Sequence, residues 1–253
     1  MKILASDYDG TFYTRDGQTL RNIEAVKRWR EAGNQFGFVT GRALNMIQTP
    51  VEQKGIPYDF LICNNGTSIY DREGKLISTG WLSEECVEKL LAAPAVKRAL
   101  HYALIRTDRT YAVIRSEDSP ADQMEFEMTR INEEEVSGLG PFCQISLPYA
   151  SPEAAAECAE AVNREWGELV HGHLNIDCVD ITPAGMDKSV GVESYMELAG
   201  VKESDILVVG DGENDVNMIR RFHGYTVDNA RPQVKEAASR VYRSVEELIG
   251  DYM

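Results

Sequence analysis

Basic residues are scarce in this chain of 253 residues: 26 Lys and Arg stand against 41 Asp and Glu, for a formal net charge of −15. Such a surface lacks the basic patches that nucleic acids and anionic membranes require, so neither is an expected partner. Histidine is scarcer still, with four in the whole chain. The five cysteines (Cys63, Cys86, Cys143, Cys158, Cys178) are odd in number and form no Cys-x-x-Cys pair. That argues against a disulfide framework and for a reducing compartment. No apolar run approaches transmembrane length, and the amino-terminal run Ile3-Leu4-Ala5 meets Asp7 too soon for a signal peptide. The cytoplasm is the expected location. Internal repeats and low-complexity segments are also missing, and the Glu133-Glu134-Glu135 run reads as a solvated face.

What is present has the ordinary balance of a globular protein, 43% hydrophobic and 26% charged. The length suits one large domain, or a core carrying a smaller second one. Short apolar runs at Ile3 to Ala5, Phe36 to Val39, Phe60 to Cys63 and Ile206 to Val209 read as buried parallel strands. A helical pattern around Trp29, closing at Gly33, separates the first two and completes a βαβ signature. Each strand runs into a polar cluster: Ser6-Asp7-Tyr8-Asp9-Gly10-Thr11, Thr40-Gly41-Arg42, Asn64-Asn65-Gly66, and Gly210-Asp211-Gly212-Glu213-Asn214-Asp215. Ligand sites in open parallel sheets lie beyond the carboxyl ends of the strands, so these clusters are expected to converge.

The middle of the chain has a different grammar. Ser83 to Leu91 reads as a capped helix, Tyr102 to Arg106 and Tyr111 to Arg115 as a hairpin, Ser151 to Glu168 as a second helix, and Leu174 to Ile181 as one strand. Elements in runs suggest an α+β module inserted in an α/β core, with residues 82–182 as the insert and 1–81 plus 183–253 as the core.

Asp7 and Asp9 stand two apart at a strand end, and Asp211 and Asp215 offer further oxygens. Clustered carboxylates repel, and a divalent cation relieves the repulsion; oxygen-only donors favour Mg²⁺. Taken singly, such acids more often cap helices or sit in turns. A calcium loop fails on the spacing of its Gly and Glu, and Gly210-Asp211-Gly212 alone is weak evidence for a dinucleotide loop. Thr40 and Lys188 could bind phosphoryl oxygens, although alone they read as a helix cap and a surface lysine.

In their order, Asp7-Tyr8-Asp9-Gly10-Thr11, Thr40-Gly41-Arg42, Lys188 and Gly210-Asp211-Gly212-Glu213-Asn214-Asp215 resemble the four sequential motifs of the haloacid dehalogenase superfamily. The arrangement is similar to the Cof-type phosphatases with a type IIB cap, whose long insertion also falls between the second and third motifs. Asn65-Gly66, the 182–188 segment and Asn229-Ala230 fit that pattern, whereas Phe12, Asp228 and Tyr242-Arg243-Ser244 depart from it. The resemblance implies a Rossmann-like core with an α+β cap that closes over the site and helps select the leaving group. It implies a Mg²⁺-dependent phosphatase acting on a small phosphorylated metabolite, sugar phosphates among the candidates. Asp7 would be the nucleophile forming an aspartyl-phosphate, and Asp9 the general acid and base. Asp7, the Asp9 carbonyl and Asp211 would hold Mg²⁺, with Asp215 and Asn214 fixing Lys188 and the outer shell of the metal. Gly10, Thr40, Gly41, Arg42, Lys188 and Asn214 would surround the phosphoryl group, the Gly10 N–H joining the oxyanion contacts. A phosphomutase using the same chemistry, or a non-catalytic binding protein on the same fold, are the alternatives.

Other features read as structural. His171-Gly172-His173 could suggest zinc, but a turn before a strand is the simpler reading. His101 reads as a surface or strand-start residue, and Trp29, Trp81 and Trp166 as packing residues. Arg106, Arg109 and Arg115 could face a substrate or simply lie on solvated strand faces.

Overall fold

The computed structural model describes every residue except Arg15, Asp16 and Glu125. In chain order its strands are β1 (Ile3–Ser6), β2 (Gln35–Val39), β3 (Phe60–Cys63), β4 (Ser68–Asp71), β5 (Leu76–Thr79), β6 (His101–Ile105), β7 (Thr110–Ile114), β8 (Thr129–Arg130), β9 (Gln144–Pro148), β10 (Val170–Asn175), β11 (Cys178–Pro183), β12 (Ile206–Val209), β13 (Tyr225–Val227) and β14 (Arg240–Tyr242). The α-helices are α1 (Gln18–Glu31), α2 (Leu44–Gln53), α3 (Glu84–Ala92), α4 (Pro152–Trp166), α5 (Lys188–Ala199), α6 (Val216–Arg221), α7 (Pro232–Ala237) and α8 (Val245–Tyr252). The chain divides into two compact units, one of Met1–Arg42, Gln48–Ser78 and Asp187–Met253, the other of Ala43–Ile47 and Thr79–Met186.

The first unit is α/β. Its eight-stranded sheet has the order β14-β13-β12-β1-β2-β3-β4-β5, parallel from β14 to β3 and antiparallel between β3 and β4. β1, β3 and β12 are buried along their whole length, which is why they read as continuous apolar runs and not as alternating ones. Ile3 pairs with Ile206 on one side and Gln35 on the other, so the strand carrying Asp7 occupies the middle of the sheet. One face packs Ile3, Ala5, Val39, Ile62 and Val208 against Val192 and Tyr195 of α5, with Phe60 stacked on Tyr195 at 3.8 Å between centroids. The ring of Phe60 crosses Gly37, where a Cβ would lie 2.5 Å from it. Trp29 of α1 is fully buried and its indole N–H donates to Gln35 O at 2.8 Å, which fixes the helix to the start of β2.

The second unit is α+β. Its six-stranded sheet, β10-β11-β9-β6-β7-β8, has α3 and α4 packed over Leu104, Ile145, Leu147, Val179 and Ile181 through Leu90, Cys158 and Val162. Ser83 caps α3 by accepting from Cys86 N–H, and Ser151 caps α4 by accepting from Ala154 N–H, with Pro152 at the first helical position. Several expectations are corrected here. The single strand read over Leu174 to Ile181 is a hairpin of β10 and β11, registered Asn175 to Cys178. It was hidden because Ile176 carries the turn at φ +55°, a conformation that β-branched residues rarely adopt. His171 and His173 consequently lie inside β10 and not in a turn; their rings stack at 4.3 Å, and His173 Nε2 bonds Thr182 Oγ1 at 2.8 Å. His101 starts β6 as expected but is buried, not on the surface, while Trp81 is exposed. Residues 43–47, 79–81 and 183–186, expected with the core, fall in this unit. Ala43 packs with Ile105 and Cys143, and Asn45 Nδ2 donates to Glu127 O, which groups the start of α2 with this unit. No helix among the described residues is long and apolar enough to cross a membrane.

Candidate active site

The parallel ladder of the first unit continues past the strand ends and builds the site. Asp7 N–H donates to Val209 O at 2.8 Å, so the first and last motif loops leave the sheet side by side. Thr40 N–H donates to Ile62 O at 2.8 Å, Asn65 N–H to Thr40 O at 3.0 Å, and Asn64 N–H to Arg42 O at 3.0 Å. These bonds lock the Thr40-Gly41-Arg42 turn to the Asn64-Asn65-Gly66 turn. Asn64 and Asn65 both adopt positive φ, 53° and 51°, a conformation that Asn tolerates better than most residues.

Lys188, the first residue of α5, is only 1% exposed. Its ammonium donates to Asp7 Oδ1 and to Asp215 Oδ1, each at 2.7 Å. Burial pulls its pKa down, but the Asp215 and Asp7 carboxylates outweigh that and hold it above the usual lysine value. Two glycines allow the helix to come this close. A Cβ on Gly66 would lie 2.0 Å from Asp187 O, and one on Gly191 would lie 2.6 Å from Gly66 Cα.

Around the ammonium, carboxylate oxygens of Asp7, Asp211 and Asp215 lie within 4.8 Å of one another. Burial, opposed by Lys188 and reinforced by Asp215, Asp211 and Asp9, raises the Asp7 carboxyl well above its ordinary range; burial is also the main cause that raises Asp211. Three carboxylates around one ammonium leave surplus negative charge in a buried place. An oxygen-only donor set of that charge fits a hard divalent cation. Asp215 is the internal brace: its Oδ2 accepts from Asp211 N–H at 3.1 Å and Gly212 N–H at 2.9 Å. Thr11 Oγ1 donates to Asp211 Oδ1 at 2.5 Å.

Gly10 departs from the expectation. Its N–H donates to Tyr13 O at 3.0 Å, so it is spent within its own turn and is not presented to a phosphoryl group. The space it leaves is filled by Asp211, whose Oδ2 would lie 2.5 Å from a Cβ on Gly10. The Gly10 carbonyl accepts from Asn229 Nδ2 at 2.8 Å. Asn214 is a second correction: it donates to Asn65 Oδ1 at 3.0 Å, joining two loops, while Asp215 alone of that pair bonds Lys188. Thr40 is buried and its Oγ1 accepts from Arg42 N–H at 3.2 Å, with Gly41 in the turn between them. Arg42, expected beside a phosphoryl group, forks onto Asp9: Nε and one terminal nitrogen donate to its two oxygens at 2.6 and 2.7 Å. Burial lowers the Arg42 pKa and its bonds to Asp9 raise it, the latter prevailing. The contacts of Thr11 and Asn229 do not follow from residue type alone. A hydroxyl four residues after Asp7 was the available signal for the first.

Residues 4–250 match the model of the haloacid dehalogenase-like hydrolases, and the chain belongs to that family. It is an enzyme of the hydrolase class. Among curated relatives, an HMP-PP phosphatase of Yersinia pseudotuberculosis is 27% identical over 242 residues, covering 93% of this chain and 86% of that protein. A haloacid dehalogenase-like hydrolase from B. subtilis superposes with a TM-score of 0.86 at 18% identity over the full length of both chains. A subclass IIB sugar phosphatase of the same superfamily superposes with a TM-score of 0.82 at 22% identity, covering 99% of this chain and 97% of that one. The two superpositions show that the chain has the fold of these hydrolases.

Proposed function

We propose that this chain is a magnesium-dependent phosphatase that passes the phosphoryl group of a small phosphorylated metabolite to Asp7 and then to water. The observation that carries the reading is the buried Lys188 ammonium, 2.7 Å from both Asp7 and Asp215. Such a charge keeps a buried carboxylate ready as a nucleophile and stabilises phosphoryl oxygens as charge moves onto them. In the first half, an Asp7 oxygen attacks phosphorus, the bond to the leaving oxygen breaks, and Asp9 gives that oxygen its proton. In the second half, water attacks the same phosphorus and Asp9 takes the water proton. The bond between phosphorus and Asp7 breaks, which restores the carboxylate and frees inorganic phosphate.

Thr40, Gly41 and Lys188 are the groups suited to hold the phosphoryl oxygens. Asp7, Asp211 and the Asp9 carbonyl would hold Mg²⁺, with Asp215 bracing them from behind. When bound, the ion supplies positive charge that offsets repulsion between carboxylates and substrate and polarises the phosphoryl group. A small phosphorylated substrate is supported by the named activities of the relatives, HMP-PP phosphatase and sugar phosphatase. It also agrees with an overall charge of −15, which leaves attraction of an anion to the local charges of the site. The test is phosphate release from an aryl phosphate and a panel of sugar and nucleotide-precursor phosphates, with Mg²⁺ or EDTA. Release that requires Mg²⁺ and disappears in Asp7→Asn is expected; equal release by that variant would refute the assignment.

A further inference from the structure

We propose that Arg42 is a positioning residue that holds Asp9 as the proton acceptor for the second half of the reaction, and is not a ligand of the phosphoryl group. This rests on the reading of Asp7 as nucleophile and Asp9 as its proton-transfer partner. Asp9 lies beyond the end of β1 with its side chain 51% exposed, a setting in which a carboxylate samples several rotamers. The Arg42 fork removes that freedom by donating to both oxygens, at 2.6 and 2.7 Å. The guanidinium is itself held. Its carbon sits 5.1 Å from the centroid of the Tyr8 ring, and Tyr8 is buried and stacked on Tyr13 at 5.4 Å. The Arg42 backbone is bonded at both ends, its N–H to Thr40 Oγ1 and its carbonyl to Asn64 N–H. The turn that presents Thr40 therefore also fixes the orientation of Asp9.

The chemistry of the fork indicates which half-reaction it serves. A carboxylate in a bidentate arginine pair uses both oxygens as acceptors, and the lone-pair positions left over can take a proton from water. As that proton moves to Asp9, the water oxygen bonds to phosphorus and the bond from phosphorus to Asp7 breaks. A partly exposed ion pair contributes little to fold stability, so precise placement of Asp9 is the more substantial consequence of this geometry.

The test uses p-nitrophenyl phosphate with Mg²⁺, because its leaving group departs without a proton donor and the first half then needs no acid. In Arg42→Gln, kcat is expected to fall roughly ten- to a hundred-fold, a fraction of what a general base supplies. kcat/KM, which ends at formation of the aspartyl-phosphate, should stay within about three-fold, so KM falls along with kcat. A pre-steady-state burst of nitrophenolate, approaching one per site, should appear, and Arg42→Lys should recover part of kcat. A fall in kcat/KM larger than that in kcat, so that KM rises, with no burst, would make Arg42 a phosphate ligand and overturn the proposal. Unchanged constants in both variants would overturn it as well. Equal thermal midpoints for the variants and wild type exclude misfolding as the cause. Wild-type protein inactive with Mg²⁺, or a burst that persists in Asp7→Asn, would instead remove the parent reading, and this proposal with it.

Discussion

A lysine enclosed by two carboxylates away from water is stable only as part of the set. Desolvation of Lys188, Asp7 and Asp215 is offset by the two 2.7 Å contacts, and removal of the cation leaves two buried acids facing each other. Lys188→Met is expected to lose about 3–5 kcal/mol of stability in urea unfolding, and at least roughly a hundred-fold in kcat. A variant of wild-type stability and activity would mean that the ammonium is incidental. At this scale the sequence was only partly legible. The identity of the acids, Thr40 and Lys188 was readable because each stands at a strand end or helix start. Their partners were not. Arg42 meets Asp9 across 33 positions, and the Gly10 N–H is consumed by Tyr13 within its own turn. Residue type does not report such choices between two available acceptors.

Elements were legible wherever one physical signal dominated. The buried strands of the first sheet appear as apolar runs, and Ser83 and Ser151 announce their helices by accepting the first orphan N–H groups. The β10–β11 hairpin was missed because its turn falls on Ile176 instead of glycine. Of the two readings of His101, the strand start holds and the surface does not, because an imidazole does not reveal its burial. It stands buried at the start of β6 with Nδ1 bonded to Ser119 Oγ at 2.9 Å, and burial lowers its pKa from 6.5 to about 4. The folded chain thus resists protonating His101 while the unfolded chain accepts the proton. The resulting penalty is absent above pH 6.5, grows as the pH falls toward 4, and reaches about 3 kcal/mol at most. His101→Asn, neutral throughout, should show a shallower loss of stability between pH 6.5 and 4 in chemical unfolding. A parallel loss in both proteins would rule His101 out as a source of acid sensitivity.

At the scale of the molecule, the chain divides into two compact units, carries a net charge of −15, and brings carboxylate oxygens of Asp7, Asp211 and Asp215 within 4.8 Å of one another. A cation binding only the folded site should stabilise the protein by an amount that grows with the logarithm of its concentration above Kd, about 2.7 kcal/mol at a hundred times its Kd. The melting midpoint is expected to rise with Mg²⁺ and return with EDTA, while Asp211→Asn, which removes a donor, should respond weakly. An identical rise in that variant would place the ion elsewhere. The alternation of strand and helix made the architecture of the first unit readable, as did the clustered α+β grammar of the second. The grouping of residues 43–47 with the second unit was not, since it depends on packing against Ile105 and Cys143, which lie far along the chain.

The central claim, that Asp7 carries the phosphoryl group, is tested most directly by trapping the intermediate. Enzyme in excess would be mixed with phosphoryl-labelled substrate and Mg²⁺, quenched in acid within one turnover, digested, and the labelled peptide located by mass spectrometry. The account predicts acid-stable label on Asp7 that forms and decays within a turnover and is missing from Asp7→Asn. Turnover with no covalent label at any time, or label on another residue, would contradict it.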